Sequence, residues 1–240
     1  MKLSAPIFRL KRQARLLSRE AQIPLHQALD QVALEEGYES WSLLAARHSA
    51  PTTGKRLIDV CRRGDLVLLG ARPGHGKTLL ALETAVAAMQ GGDRSYFFSL
   101  EFGLEDMRKT FRAIGEEMSA FEDRFAFDCS DDICASYIIE QLQEASTGTV
   151  VIIDYLQLLD QKRQHPELSA QIAHLKAFAV ERGLILLFVS QIHRDFDSTH
   201  SSVPRLADVR LPNPLDLEMF SRTCFLHEGE IELADVASTT

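Results

Sequence analysis

Apolar positions recur every three or four residues over the first fifty positions, then give way to continuous apolar runs separated by amphipathic stretches. In IFRLKRQARLLSRE (7–20), Ile7, Leu10, Ala14 and Leu17 fall at helical spacing among basic residues. Pro24 opens a second segment, PLHQALDQVALEEG, with Leu25, Ala28, Leu29 and Val32 on one face and Gly37 as its stop. Ser40 is a cap for a third, SWSLLAARHS. The run SAPTTGKR (49–56) collects Ser, Pro, Thr and Gly and reads as a linker.

Beyond it, DLVLLGA (65–71), SYFFSL (95–100), TVVIID (149–154) and LILLFVS (184–190) are too continuously apolar for half-exposed strands. They suit parallel strands covered on both faces. Helical stretches lie between them at 76–90, 103–119, 133–146 and 167–182, and short runs at 223–227 and 230–234 add late strands. Strand–helix alternation implies an α/β fold with a doubly wound, mostly parallel sheet, preceded by a small all-helical module. The expected organisation is a helical module at 1–50, a linker at 51–56, an α/β domain at 57–234 and a tail at 235–240.

Composition refines this little. Hydrophobic residues make up 45% and charged residues 25% of 240, as in ordinary globular chains. No apolar run approaches the roughly 18 residues of a membrane span, and the start lacks the apolar core of a secretory signal. The first residues are Arg-rich and nearly acid-free, which also fits a transit peptide, although the helical pattern runs on past them. Cys61, Cys129, Cys134 and Cys224 form no CxxC pair, which favours reduced cysteines, and the expected location is the cytoplasm. Charge is asymmetric. Residues 1–22 carry six Lys or Arg against one acid, a net +5, whereas 51–240 carry 19 basic against 29 acidic residues. Nonspecific attraction to nucleic acid would therefore come from the N-terminal arm or a local patch.

The candidate chemistry sits after the first buried run. GARPGHGKT (70–78) places Gly74 and Gly76 before Lys77 and Thr78, between a strand and a helix. That context suits a phosphate-binding loop, in which backbone N–H groups at a helix N-terminus face an anion. In the usual G-x-x-x-x-G-K-[ST] frame, the first glycine is replaced by Ala71. Residues Ala71, Arg72, Pro73, Gly74, His75, Gly76, Lys77, Thr78 and Leu79 form the candidate ATP-binding loop, with Lys77 at the β/γ-phosphates and Thr78 on Mg²⁺. Three buried runs end in polar residues, Glu101, Asp154 and Gln191. In open α/β sheets ligands bind at the carboxyl ends of strands. Each residue alone reads equally well as a solvated loop residue; together they point to one edge beside the loop. Asp154 suits a Mg²⁺-holding acid, Glu101 a general base, and Gln191 a reader of the γ-phosphate or of the attacking water.

In this order and spacing, GARPGHGKT, FFSLE, VVIIDYLQLL and SQIHR resemble the RecA-like ATPase domain of DnaB-type replicative helicases. The resemblance covers about residues 57–233, and Ala71 is a trait of that family's loop. It implies Lys77 and Thr78 at phosphate and magnesium, Glu101 as catalytic base, Asp154 as the Walker B acid and Gln191 as γ-phosphate sensor. It also implies single-stranded DNA and a homo-oligomeric ring as partners, with Arg194, Arg205 and Arg210 as candidate nucleic-acid contacts. The loop HRDFDSTHSSVPR (193–205) lies where the family contacts DNA; it reads equally as a surface loop.

The chain departs from the family in two places. No Lys or Arg follows Arg222, where the family carries a Lys-x-Arg pair reaching the neighbouring subunit. A trans cation of this type accounts for about 10³–10⁵ in rate, so slow hydrolysis or a cation from elsewhere is expected. The family's helical primase-binding domain is also replaced by the helical module, whose HQALDQVALEEGYESWSLLAA resembles a segment fused to other bacterial proteins. Tyr38 and Trp41 either fill its core or anchor a protein partner, and Arg9, Lys11, Arg12, Arg15 and Arg19 either form a solvated face or touch phosphates. Two functions remain open: a Mg²⁺-dependent ATPase acting on DNA, and a nucleotide-dependent switch or assembly protein with slow turnover.

Overall fold

A computed structural model describes residues 4–5, 7–48, 52–99, 101–160, 166–193, 196, 203–211, 213, 215–227 and 230–236. The chain divides into two units, Met1–Thr52 and Thr53–Thr240.

The first unit holds helices α1 (Ile7–Glu20), α2 (Leu25–Glu35) and α3 (Trp41–His48). Leu10 and Ala14 of α1 meet Ala28, Val32 and Ala33 of α2, and Tyr38 and Leu44 complete the core. Leu25, expected on the buried face, is instead 42% exposed, because Ala33 rather than Leu25 continues the stripe set by Ala28 and Val32. Gly37, at φ 81°, ends α2, a left-handed conformation that costs glycine little. The Ser40 hydroxyl accepts from the Leu43 N–H, and Asp30 accepts from the Trp41 N–H at 2.9 Å, so two side chains satisfy the start of α3. Tyr38 is buried and Trp41 packs partly against the same core.

In the second unit α4 (Thr53–Val60) precedes β1 (Leu66–Ala71), α5 (Lys77–Gln90), β2 (Ser95–Ser99) and α6 (Leu104–Ala113). Then come β3 (Phe125–Asp128), α7 (Ala135–Gln141), β4 (Val150–Asp154), α8 (Leu168–Arg182), β5 (Ile185–Gln191), β6 (Arg222–His227) and β7 (Glu230–Asp235). The strands form one sheet in the order β3-β2-β4-β5-β1-β6-β7, all parallel except for antiparallel β7. Alternation within each strand divides the apolar side chains between two layers. Leu66, Leu68, Val151, Ile153, Leu186 and Phe188 face the side covered by α7 and α8. Val67, Leu69, Val150, Ile152, Leu187 and Val189 face the side covered by α5 and α6. Continuous apolar runs are therefore what a sheet covered on both faces requires.

Four elements differ from the sequence reading, one of them α7, expected over 133–146 and found over Ala135–Gln141. Residues 53–56, read as linker, begin α4, because Leu57 is fully buried and Gly54 lies against α5. A Cβ at Gly54 would collide with the backbone of Glu83 and Thr84. Burying one leucine contributes about 1.5–3 kcal/mol, enough to override a composition rich in turn formers. The helix expected at 103–119 stops at Ala113, ahead of Gly115 at φ 84°. Strand β3, four residues long and only partly buried, has too little alternation to stand out in the sequence.

Candidate functional site

The parallel order brings the carboxyl ends of β2, β4, β5, β1 and β6 into one row. Ala71 pairs with Gln191 on one side and with Leu226 on the other, and Ser99 pairs with Asp154. The loop leaving β1 turns at Gly74 and Gly76, with φ of 80° and 84°. At Gly74 a Cβ would meet nothing within 4 Å, so the requirement for glycine there is the backbone conformation and not crowding. Gly76 is the N-cap of α5, and no side chain caps that helix. The first N–H groups of a 14-residue helix are thus left for an outside acceptor.

Lys77 opens α5 and is only 9% exposed, whereas Leu79 points outward at 39%. Thr78 reaches across to β4, its Oγ1 donating to Asp154 Oδ2 at 2.9 Å. Asp154 is fully buried. Burial pushes its carboxyl up to about 6, with Glu101 adding to the rise and with Thr78 and Lys77 opposing it. Its second oxygen, Oδ1, is buried without a hydrogen-bond partner among the described residues. A carboxylate with one oxygen held by a threonine hydroxyl and the other open has the donor set of a magnesium site, hard oxygens beside a phosphate loop. Magnesium therefore fits these residues.

Glu101 is exposed just beyond β2, and its N–H donates to Ser99 Oγ at 3.1 Å. Gln191 ends β5 and is half-buried. Its carbonyl accepts from the Arg210 N–H at 2.8 Å, and Ile192 pairs with Val209 in an antiparallel bridge. The backbone of Arg210 is thereby brought beside Gln191, with its side chain exposed. Arg205 is also exposed, and its N–H donates to Asp208 Oδ2. Arg194 lies outside the described residues. Phe196, the aromatic of this loop, is 9% exposed and set edge-on to His227, so it presents no free ring to a base.

Two polar residues at this edge escaped the sequence reading. Gln157, three residues past Asp154, donates through Nε2 to the Arg210 carbonyl at 2.5 Å and to Ser190 Oγ at 3.2 Å. His227 ends β6 and stacks on His75 of the loop. Gln157 could have been noticed within VVIIDYLQLL, and His227 by the rule that singled out Asp154 and Gln191, since it closes the short apolar run at 223–227.

Residues 131–216 match the family model of the DnaB-like helicase C terminal domain. The chain is 28% identical over 183 residues to the replicative DNA helicase DnaB of Mycoplasma genitalium, covering 61% of this chain and 39% of the relative. It is 28% identical over 203 residues to the replicative DNA helicase DnaB of Helicobacter pylori, covering 70% and 41%. The probable plasmid replicative DNA helicase of Chlamydia muridarum is 26% identical over 193 residues, covering 66% and 43%. The chain thus spans about two fifths of the length of these curated relatives. Among solved structures, one described as an ATPase domain superposes with a TM-score of 0.58 at 20% identity, covering 78% of this chain and 87% of that one. A DnaB-like replicative helicase, described with its interactions with primase, gives 0.59 at 18% identity, covering 95% and 71%. The resemblance read from the four motifs thus recurs in the sequence relatives, and the expected RecA-like α/β fold is met by the structural neighbours. Among the described residues no helix is long and apolar enough to cross a membrane.

Proposed function

We propose that this relative of DnaB-type helicases binds ATP at the 71–79 loop and hydrolyses it in a magnesium-dependent reaction coupled to single-stranded DNA. The observation that carries this reading is the Thr78–Asp154 pair: a 2.9 Å hydrogen bond beside the loop, with Asp154 Oδ1 buried and open.

In this reading the N–H groups of Gly74, Gly76 and the first turn of α5 hold the phosphates. Lys77 offsets their negative charge, and Thr78 Oγ1 and Asp154 hold the metal. Magnesium, when bound, would neutralise charge on the β- and γ-phosphate oxygens. Glu101 accepts the proton of the attacking water. Gln191 can donate to a phosphate oxygen or accept from that water, and through its backbone bond to Arg210 it links the γ-phosphate position to the segment proposed to meet DNA. Arg205 and Arg210 would contact the DNA backbone, and a ring of identical chains would align those contacts.

The test is the ATPase rate of the full chain with and without single-stranded DNA, in parent and Lys77→Ala proteins. Stimulation by DNA in the parent, lost together with ATP binding in Lys77→Ala, is the expected result. ATP affinity unchanged in Lys77→Ala would remove the site. A second reading, a nucleotide-dependent switch, is favoured by Phe196, which is turned inward and unavailable for stacking on bases. In that case turnover is slow and indifferent to DNA, and ATP instead changes the sedimentation of the protein. Residues 1–50 would then supply the surface for a protein partner.

A further inference from the structure

His227 is 4% exposed, and among the described residues neither Nδ1 nor Nε2 has a hydrogen-bond partner. A neutral imidazole carries one donor and one acceptor, and each buried polar group left unmade costs about 1–3 kcal/mol. Phenylalanine would fill similar space without that cost, so packing alone gives no reason for an imidazole here. The ring is held by other rings. One face stacks on His75, with centroids 5.2 Å apart and planes at 13°. Phe196 meets it in a T-shaped arrangement at 5.3 Å and 76°.

These two neighbours belong to different working parts. His75 sits between Gly74 and Gly76, in the middle of the phosphate loop, and Leu226, next to His227, lies 3.8 Å from where a Cβ on Gly76 would stand. Phe196 lies five residues beyond Gln191, in a segment pinned by three backbone bonds. Ile192 N–H donates to the Ala71 carbonyl, His193 N–H to the Asp208 carbonyl, and Arg210 N–H to the Gln191 carbonyl. His227 therefore joins the loop to that segment by a route that bypasses Gln191. The loop and a buried, unpartnered side chain against it are separate observations, and both point to a ligand.

We propose that His227 is a contact for the bound nucleotide and the link that carries its presence to the 192–210 segment. With nucleotide bound, one ring nitrogen donates to an oxygen of the phosphate chain, and the ring then shifts against Phe196. This rests on the ATP reading of the loop.

The test uses the full chain, Mg²⁺ and a non-hydrolysable ATP analogue, with calorimetry for affinity and amide hydrogen exchange at Ile192, His193 and Arg210. His227→Phe keeps the ring and removes the nitrogens; it should bind about tenfold more weakly, the loss of one buried hydrogen bond. His227→Gln, which retains an N–H donor, should stay within about threefold of the parent. Phe196→Ala should also bind within about threefold, yet lose the slowing of exchange that the analogue imposes on the parent. Parent-like affinity in His227→Phe overturns the contact. Exchange in the parent that ignores the analogue overturns the link while leaving the ATP site standing. A parent that binds no analogue sinks the ATP reading itself, and this inference with it. Should His227→Phe fail to fold, His227→Leu takes its place, parent-like affinity again overturning the contact, and the Phe196→Ala exchange result decides the link.

Discussion

On the β4 side of the phosphate loop, Asp154 is buried and half satisfied, one oxygen held by Thr78 and the other open. On the β6 side, His227 is nearly as buried and has no hydrogen-bond partner among the described residues; its ring stacks on His75 and meets Phe196 in a T-shaped contact. The difference lies in what each can tolerate. A carboxylate pinned by a hydroxyl has one fixed direction left for a ligand, which suits a metal that demands defined geometry. An imidazole held by ring contacts can slide with little loss, which suits a group that moves when a ligand arrives. Buried groups of this kind are costly unless something outside the chain satisfies them, so both support the proposal that the loop holds a ligand.

The β4 side is the one to break first. Glu101→Gln removes a carboxylate that raises Asp154 from the end of β2, and with it the proposed base. Turnover should fall by about 10²–10⁴ with analogue binding preserved. Phosphate release in single-turnover conditions checks this, and unchanged turnover would take Glu101 out of its role.

Asp154→Asn sharpens the same side. The carboxyl stands at about 6 in the folded chain against an ordinary value of 3.8, so the fold prefers the neutral acid. That contribution is complete below about pH 4 and is lost as pH rises through 6. Asparagine has no such dependence. The variant should therefore be more stable than the parent at pH 8 by about 2–3 kcal/mol, and level with it at pH 4. It should also lose the tightening of analogue binding by Mg²⁺. Urea unfolding at the two pH values reads the first effect, calorimetry the second.

On the β6 side the stability gain should be smaller. His227→Phe removes two unmade hydrogen-bonding groups and keeps the stack, so the nucleotide-free protein should gain about 1 kcal/mol. A loss instead would mean that a water satisfies the imidazole. Gains on both sides, each accompanied by weaker ligand binding, are the expected signature of a site that trades stability for function.

How much of this could be read from the chain differs between the two sides for a physical reason. Buried parallel strands need long apolar runs, so β1, β2, β4 and β5 were legible, and a charged or amide residue ending such a run stands out. Asp154 and Gln191 were visible for that reason. His227 closes a shorter run, and its role was not legible, because its partners are His75 and Phe196, 152 and 31 residues away, and only folding brings the three rings together. Phe196 itself reads as an exposed loop aromatic until the β6 end is placed beneath it. The 53–56 stretch was misread because turn-forming composition is local, while Leu57 and Gly54 find α5 through tertiary packing.

The smallest expected effect concerns Gln157, which sits between the two sides and ties the β5 end to Arg210. Its Nε2 serves the Arg210 carbonyl and Ser190 Oγ, while its Oε1 is buried without a partner among the described residues. Leucine at this position deletes two hydrogen bonds and one unmet need together. Those effects oppose each other at about 1 kcal/mol apiece, so Gln157→Leu should change global stability by less than about 1.5 kcal/mol. Thermal unfolding should shift by only a few degrees, about 2–4 °C per kcal/mol for a domain of this size. Hydrogen exchange at the Arg210 amide should nevertheless quicken, because the carbonyl of the same residue has lost its anchor. A loss above about 3 kcal/mol would show that Oε1 is satisfied after all. The β5 end would then be held as firmly as Asp154 and unable to follow the ring of His227.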